Sequence, residues 1–69
     1  MINSAKELKE YRLKHNITQQ RMADVLGYAN RASIHLIENG KREFPDRIKM
    51  LVNYMINDNK LWAFVFHQH

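Results

Sequence analysis

The sequence contains no cysteine, one proline and two glycines, and each shortage removes a class of structure. Without cysteine, the chain has neither a disulfide framework nor a cysteine-based zinc site. Two glycines are too few for a glycine-rich phosphate-binding loop. The longest fully apolar run, Leu61 to Phe66, is much too short to span a membrane. Since no signal peptide is visible either, we expect a cytoplasmic protein held together by packed hydrophobic side chains.

The composition is apolar enough for one small domain, and it is basic. The chain has 69 residues, of which 45% are hydrophobic, and this length lies near the lower limit of what folds alone. A second copy of the chain is therefore a possible contributor to the core. The net charge of +4 favours polyanionic partners, although many small soluble domains are mildly basic.

Helical spacing of apolar residues dominates the chain from Ser4 onward. Ser4 and Glu7 match a capping box and start a helix that runs to about Lys14 or His15. Met1 to Asn3 is expected to be a loose lead-in. We therefore treat residues 1–69 as a single all-α domain of four to five short helices.

The central stretch, residues 18–45, predicts two short helices joined by a tight turn. Thr18 can cap the first helix, and Gly27 stands where that helix should end. Asn30 can cap the second helix, which runs to about Glu38 or Asn39. A short helix, a turn and a second helix form the helix-turn-helix arrangement.

The second of these helices has one apolar and one polar face. At about 100° per residue, Ile34 and Ile37 lie together and should pack inward. The opposite face is free to meet a partner, and an α-helix fits the major groove of DNA. This outer face carries Ala32, His35, Leu36 and Asn39, with Arg31 at its edge.

These residues resemble a known family. The pattern T-Q-x-x-M-A-x-x-L-G, then I-x-x-I-E-N-G-K and a proline, is similar to the phage repressor and Cro (XRE-like, lambda-repressor-like) helix-turn-helix family. The likeness covers roughly residues 5–57. It implies a DNA-binding transcriptional regulator that acts as a two-fold dimer on paired half-sites. This chain has one residue more than the commonest family spacing between Gly27 and Ile34, so the register of the base-contacting positions is open by about one residue.

Base contacts are assigned to the start and outer face of the second helix. The candidates are Asn30, Arg31, Ala32, His35 and Leu36. Arginine pairs bidentately with guanine, asparagine pairs with adenine, and apolar side chains contact thymine methyls. Asn30 cannot serve as both the helix cap and a base reader. Leu36 either contacts a base or packs under the C-terminal tail.

Phosphate contacts are assigned to the residues that flank the two helices. The candidates are Gln19, Gln20, Tyr28, Asn39, Lys41 and Arg42. Gln19 opens the first helix, where its side-chain amide and free backbone N–H groups can reach a phosphate, as the resemblance also implies. The cations of Lys41 and Arg42 would add salt-dependent attraction.

An ion pair is expected between the first predicted helix and the helix-turn-helix. The resemblance implies that Arg12 pairs with Glu38, and a guanidinium can bind a carboxylate through two hydrogen bonds. Such a pair would orient the second helix of the motif. The alternative is that the two residues are unrelated surface charges.

The C-terminal part contains one clear helix and one ambiguous tail. Asp46 can cap a helix to about Asn57, with Leu51 among the side chains that should face the core. The tail, residues 58–69, is either a short strand or a fifth helix. Its aromatics Trp62, Phe64 and Phe66 form a dimer interface or cap the monomer, and we favour the dimer. His67 and His69 alone are weak support for a metal site.

Enzymatic chemistry has little support, because no nucleophile, phosphate loop or spaced carboxylate pair stands in a plausible cleft. No cofactor, metal, membrane or small-molecule substrate is indicated. We expect a dimeric repressor that binds a palindromic double-stranded DNA operator and acts by occluding a promoter. Candidate settings are a Cro-like repressor, a restriction–modification controller, an antitoxin or an anti-CRISPR-associated regulator. The alternatives are a protein-binding module on the same scaffold and a non-specific architectural DNA binder.

Overall fold

A computed structural model describes residues 1–67, and these residues form five α-helices. The helices are α1 (Ala5–Lys14), α2 (Gln19–Leu26), α3 (Arg31–Glu38), α4 (Asp46–Asn57) and α5 (Asn59–His67). The predicted all-α fold is confirmed, and the tail is a helix rather than a strand. His69, considered above as half of a weak metal site, lies outside the described residues.

The start of each helix has an identifiable local cause. Ser4 and Thr18 each accept a hydrogen bond from a backbone N–H of the turn they precede, at α1 and α2 respectively. For α4 the prediction was wrong by one position, since Pro45 is the cap residue and Asp46 is already helical. Asp58 separates α4 from α5, and its Oδ1 accepts from the backbone N–H groups of Lys60 and Leu61.

The core is built from the apolar faces of all five described helices. Its fully buried members come from α1 to α4, while α5 adds two aromatics at one edge. The buried hydrophobic residues are Ile2, Leu8, Ile17, Met22, Ala23, Leu26, Ile34, Ile37, Ile48, Val52, Met55, Trp62 and Phe66. Leu51, expected in the core, is instead 40% exposed, because α4 turns only a narrow stripe inward.

The segment before α1 is tied down, contrary to the expected loose lead-in. Ile2 is buried, and its backbone N–H and C=O both pair with the buried side chain of Asn53, each at 2.8 Å. The side-chain amide of Asn53 therefore pairs with both backbone groups of Ile2 and joins the start of the chain to α4. The local sequence around Asn53 did not indicate this partner, because Ile2 lies fifty-one positions away.

Helix α5 packs through its aromatics onto α1. The ring of Trp62 meets the ring of Tyr11 edge-on at 4.9 Å, and Phe66 lies 4.3 Å from Trp62 on the same side. Edge-to-face aromatic pairs contribute about 0.5–1.5 kcal/mol beyond the area that they bury. This packing closes the core on the side of α1 and leaves α2 and α3 exposed on another.

Candidate nucleic-acid interface

Arg12 and Glu38 meet in a buried, bidentate ion pair. Arg12 Nε donates to Glu38 Oε2 at 2.7 Å, and Arg12 Nη2 donates to Glu38 Oε1 at 2.9 Å. The remaining arm of the guanidinium, Nη1, donates to the backbone carbonyl of Ile17 at 2.8 Å. The side chain of Glu38 is fully buried, so this geometry holds α1, the loop before α2 and the end of α3 in one arrangement.

Gln19 joins this pair, which sequence reasoning did not anticipate. Its Nε2 donates to Glu38 Oε1 at 3.1 Å, so the carboxylate accepts three hydrogen bonds in total. Gln19 is the first residue of α2, and the contact links the first turn of α2 to the end of α3. No local pattern could have shown it, because the two residues are nineteen positions apart and meet only after α2 and α3 pack.

The turn between α2 and α3 joins two helices of eight residues each. Gly27 ends α2 with φ at +82°, a left-handed conformation that glycine adopts without a Cβ clash. The N–H of Tyr28 then donates to the carbonyl of Ala23 at 2.9 Å, which closes the helix end. Residues 28–30 complete the connection to α3.

Asn30 is the cap of α3. Its Oδ1 accepts from the backbone N–H of Ala32 at 2.9 Å, and its own backbone is extended. The structure thus uses Asn30 as the cap of α3. Its base contact stays a prediction, because Asn30 is exposed and its amide oxygen can accept a second hydrogen bond.

The remaining predicted base readers share one open surface. Arg31, Ala32 and His35 are exposed, and together with Gln19 they line a groove of about 440 Å³ between α2 and α3. Leu36 is 38% exposed and so is not covered by α5. This face of α3 is open along its length, because α5 packs on α1 instead.

His35 and Asn39 are coupled along the outer edge of α3. Asn39 Nδ2 donates to the backbone carbonyl of His35 at 2.8 Å and lies 3.2 Å from Nδ1 of the same imidazole. The same carbonyl also accepts from the backbone N–H of Asn39 at 3.1 Å, so the side chain of Asn39 adds a second hydrogen bond in the last turn of the helix. Its Oδ1 is directed away from that bond.

The basic loop after α3 folds back against the helix. Gly40 has φ at +72°, which reverses the chain, and Lys41 after it is exposed. Arg42 Nη1 donates to Ser33 Oγ at 2.8 Å, and its guanidinium carbon lies 5.3 Å from the centroid of the Tyr28 ring. Arg42 and Tyr28, both predicted phosphate contacts, therefore form one group with Ser33, a residue that the sequence pattern did not single out.

The neighbours of Gln19 on α2 bond to protein groups. Gln20 Nε2 donates to Asp24 Oδ1 at 2.9 Å, one turn further along the helix. Arg21 Nη2 donates to the backbone carbonyl of Val65 at 2.6 Å, which connects α2 to α5. Backbone N–H groups at the start of α2 remain free by helix geometry, and they can bind an anion.

The tail aromatics divide between the core and the surface. Trp62 and Phe66 are 5% and 8% exposed within the single chain, so they cap the monomer and are not accessible to a second copy. Phe64 lies on the opposite side of α5 and is 62% exposed. The predicted dimer interface of all three aromatics is therefore wrong for Trp62 and Phe66. These two residues lie four positions apart on the side of α5 that faces the core.

The electrostatic arrangement favours an anion. The negative charge of Glu38 is buried and paired with Arg12. The exposed positive charges around the groove and the adjoining loop include Arg31, Lys41 and Arg42. Within residues 1–67, no three histidine or carboxylate side chains are grouped so as to hold a metal ion. None of the helices described is long and apolar enough to cross a membrane.

A comparison with protein-family models identifies the architecture. Residues 8–48 match the helix-turn-helix model HTH_3, and this range covers most of α1, all of α2 and α3, and the start of α4. The chain belongs to the XRE-type, Cro/repressor-like helix-turn-helix family. The likeness drawn from the T-Q-x-x-M-A and I-E-N-G-K motifs is thereby confirmed. Neither the curated proteins nor the solved structures include a match to this chain.

Family membership supplies the coarse function. Helix-turn-helix domains of this family are DNA-binding regulatory domains, and the protein is a DNA-binding transcription regulator. In the helix-turn-helix arrangement, the second helix lies in the major groove and the first crosses the backbone. In this protein α3 is thus the recognition helix, and α2 is the helix that precedes it.

Proposed function

We propose that this helix-turn-helix protein is a sequence-specific repressor that binds a palindromic operator as a homodimer. One observation carries the proposal: the outer face of α3 is uncovered and carries Arg31, Ala32, His35 and Leu36 beside a basic loop. An exposed recognition helix supplies base-edge contacts, while cations and helix N-termini supply phosphate contacts. Occlusion of a promoter is the simplest mode of action for so small a domain.

The phosphate contacts are proposed at two ends of the surface. At one end, the backbone N–H groups of Gln19 and Gln20 open α2 and point along its axis. At the other end, Lys41 is exposed. Arg42 is held by Ser33 and Tyr28, and the other N–H groups of its guanidinium can donate to a phosphate. Asn39 completes this end. Such contacts fix register and orientation without reading sequence.

The proposed dimer has an apolar surface to use. On α4, Met50 and Tyr54 lie one turn apart and are 72% and 66% exposed, with Leu51 beside them. Exposed apolar clusters of this kind mark interaction sites on small soluble proteins. A two-fold dimer through α4 would present two copies of α3, as a palindromic site requires.

The test is selection of bound duplexes from a random pool at near-physiological salt, followed by sequencing. We expect an inverted repeat whose half-site centres are about one helical turn apart. Recovery of a single half-site would support sequence-specific binding and contradict the proposed dimer. Recovery of no motif, with binding that disappears at moderate salt, would instead identify a non-specific architectural binder.

A second candidate function is docking of a protein on the same face of α3. It is favoured by one observation, the 38% exposure of Leu36 next to exposed Ala32. The two functions respond differently to salt. Binding dominated by phosphates weakens steeply as salt rises, whereas an apolar protein contact does not.

The regulated system is part of the proposal. A short Cro-like repressor of a phage or mobile-element promoter, a restriction–modification controller, an antitoxin and an anti-CRISPR-associated regulator would all use this interface. Transcription from promoters of neighbouring genes, measured with and without the protein, distinguishes these settings and decides between repression and activation.

A further inference from the structure

Arg42, in the loop after α3, is exposed and yet held at two points by the protein. Its Nη1 donates to Ser33 Oγ at 2.8 Å, and its guanidinium carbon lies 5.3 Å from the centroid of the Tyr28 ring. An arginine without such contacts moves among many rotamers. Ser33 belongs to α3 and Tyr28 to the turn before it, so contacts from two elements restrict where the guanidinium can lie.

Both partners of Arg42 are electrically neutral, and this leaves its charge available to a ligand. Within residues 1–67, no carboxylate forms an ion pair with Arg42. Arg12 shows the contrary arrangement, because the buried carboxylate of Glu38 compensates its charge. A hydroxyl and an aromatic ring can orient a cation without compensating it. Arg42 is therefore a cation that is held in place and keeps its full charge.

The position of Ser33 on α3 suits it to this task. At about 100° per residue, Ser33 lies at the edge between the buried face and the outer face, and it is partly buried. A guanidinium has no acceptor, so Ser33 Oγ must be the acceptor in the bond with Arg42. The O–H of Ser33 stays available as a donor, and the experiment below separates its effect from that of Oγ.

The rest of the Arg42 guanidinium can bind an anion. Arginine has five N–H donors, and the bond to Ser33 uses one of them. The remaining donors match the geometry of a phosphate group. Holding the side chain before DNA arrives lowers the conformational entropy that is lost on binding. A positioned Arg42 should therefore bind a phosphate more tightly than a freely moving arginine would.

We propose that Ser33 is a positioning residue: with the ring of Tyr28, it holds the Arg42 guanidinium in the orientation that binds a phosphate of the DNA backbone. This inference rests on the proposed function, in which Arg42 is a phosphate contact. It adds to the surface a residue of α3 that acts through another side chain. Ser33 then raises affinity for DNA and leaves sequence preference to the outer face of α3.

A double-mutant cycle tests whether Ser33 acts through Arg42. Fluorescence anisotropy gives the affinity of wild type, Ser33→Ala, Arg42→Ala and the double variant for the selected operator and for scrambled duplexes. Ser33→Ala should lose about 2- to 10-fold in affinity per half-site, the range for immobilising one long side chain. In the Arg42→Ala background, the same substitution should cause no further loss.

The salt dependence of binding separates loss of position from loss of charge. Arg42→Ala removes a cation and should reduce the slope of log K against log salt by about one per half-site. Ser33→Ala keeps the cation, so its slope should stay close to that of wild type while its affinity falls. The ratio of operator affinity to scrambled affinity should not change in Ser33→Ala, because phosphate contacts carry no sequence information.

Two further variants are the controls. Threonine keeps a hydroxyl acceptor, so Ser33→Thr should bind DNA more tightly than Ser33→Ala does. Lys9 is exposed on α1 and belongs to none of the proposed DNA contacts, so Lys9→Ala should reduce the salt slope less than Arg42→Ala does. Thermal denaturation verifies that Ser33→Ala is folded, as expected for a change to a stronger helix former.

The outcomes separate the inference from the function on which it rests. An equal loss from Ser33→Ala in both backgrounds would show that Ser33 acts without Arg42, for example by donating its own O–H to a phosphate. Full affinity of Ser33→Ala would show that Arg42 does not need Ser33. Either result would overturn the inference and leave the operator function intact. If wild type selects no motif, the proposed function itself fails, and the cycle on scrambled duplexes still decides the role of Ser33.

Discussion

At the residue scale, the buried carboxylate of Glu38 is the most constrained group in the interface. It accepts hydrogen bonds from Arg12 and Gln19 and is fully enclosed. A buried ion pair adds little net stability against a hydrophobic replacement, yet removing one partner strands the other charge. Its value to the protein therefore lies in orienting α3 more than in stabilising the fold.

Arg12→Ala should lower the free energy of unfolding by about 3–5 kcal/mol, because Glu38 would be left buried and unpaired. Urea denaturation followed by circular dichroism measures this loss. The matched control is the double variant Arg12→Met with Glu38→Leu, which should be far more stable than Arg12→Ala since no charge is stranded. Equal losses in the two proteins would show that packing volume, not charge, dominates the site.

Arg31→Ala and Lys41→Ala test the two kinds of DNA contact against each other. Arg31→Ala should cost about 1–3 kcal/mol of binding and relax specificity at one position, because an arginine on the outer face of α3 can read guanine. Lys41→Ala should weaken binding to all sequences about equally and reduce the slope of log K against log salt by about one.

Titration of both variants on the selected operator and on scrambled duplexes, at several salt concentrations, gives the comparison. A uniform loss for Arg31→Ala on every duplex would place this guanidinium on phosphate alone.

At the element scale, the two helices of the motif owe their shape to their end residues. Thr18 and Asn30 cap α2 and α3, and Gly27 lets α2 stop in a left-handed conformation. A helix of eight residues is too short to be stable alone in water, so its ends and its packing decide whether it forms. The cap at Asn30 also determines the residue at which α3 begins.

Asn30→Ala should lower the free energy of unfolding by about 1 kcal/mol, because the backbone N–H of Ala32 loses its acceptor. Asn30→Ser is the matched control, since serine caps a helix as well as asparagine. Thermal denaturation measures both. If the serine variant keeps full stability and full operator affinity, Asn30 acts only as a cap. A specific loss of affinity in Asn30→Ser at wild-type stability would give its Nδ2 a role in DNA binding.

At the scale of the whole molecule, α5 completes the core and leaves another surface for association. Trp62 and Phe66 pack against α1, and Arg21 on α2 holds the carbonyl of Val65. The apolar side chains that remain outside are Phe64 on α5 and the cluster of Met50, Leu51 and Tyr54 on α4. The aromatic side chains that close the core and the exposed apolar side chains available to the proposed dimer therefore lie on different faces.

Trp62→Ala should lower the free energy of unfolding by about 3–5 kcal/mol, because it leaves a cavity at the edge of the core. Trp62→Phe should cost much less. It keeps most of the ring and removes Nε1–H, which is buried and has no hydrogen-bond partner among the described residues. Urea titrations of the two variants test this. A small loss for Trp62→Ala would mean that α5 contributes little to the stability of the single chain.

Tyr54→Glu should shift the protein from dimer to monomer if α4 forms the proposed interface, because a charge would be buried between two copies. Sedimentation equilibrium over a range of concentrations measures the change. Phe64→Glu is the matched control on the other exposed aromatic and should leave the dimer intact. Dissociation by Phe64→Glu alone would move the interface to α5.

The amino-acid sequence by itself determined the order of the helices, the helix-turn-helix and its family, because caps, glycines and apolar spacing act within a few residues of one another. The bounds of α1 to α3, the caps at Ser4, Thr18 and Asn30, and the outward face of α3 followed from these local patterns. The Arg12–Glu38 pair came from the family resemblance, since its members are twenty-six positions apart.

Only the tertiary structure decided which distant groups meet. It joined Gln19 to Glu38, Asn53 to Ile2, and Arg42 to Ser33. It also turned Trp62 and Phe66 inward while leaving Tyr54 in solvent. The physical reason is the same in each case: the contact depends on how two helices pack, and the pattern within either helix is compatible with several packings.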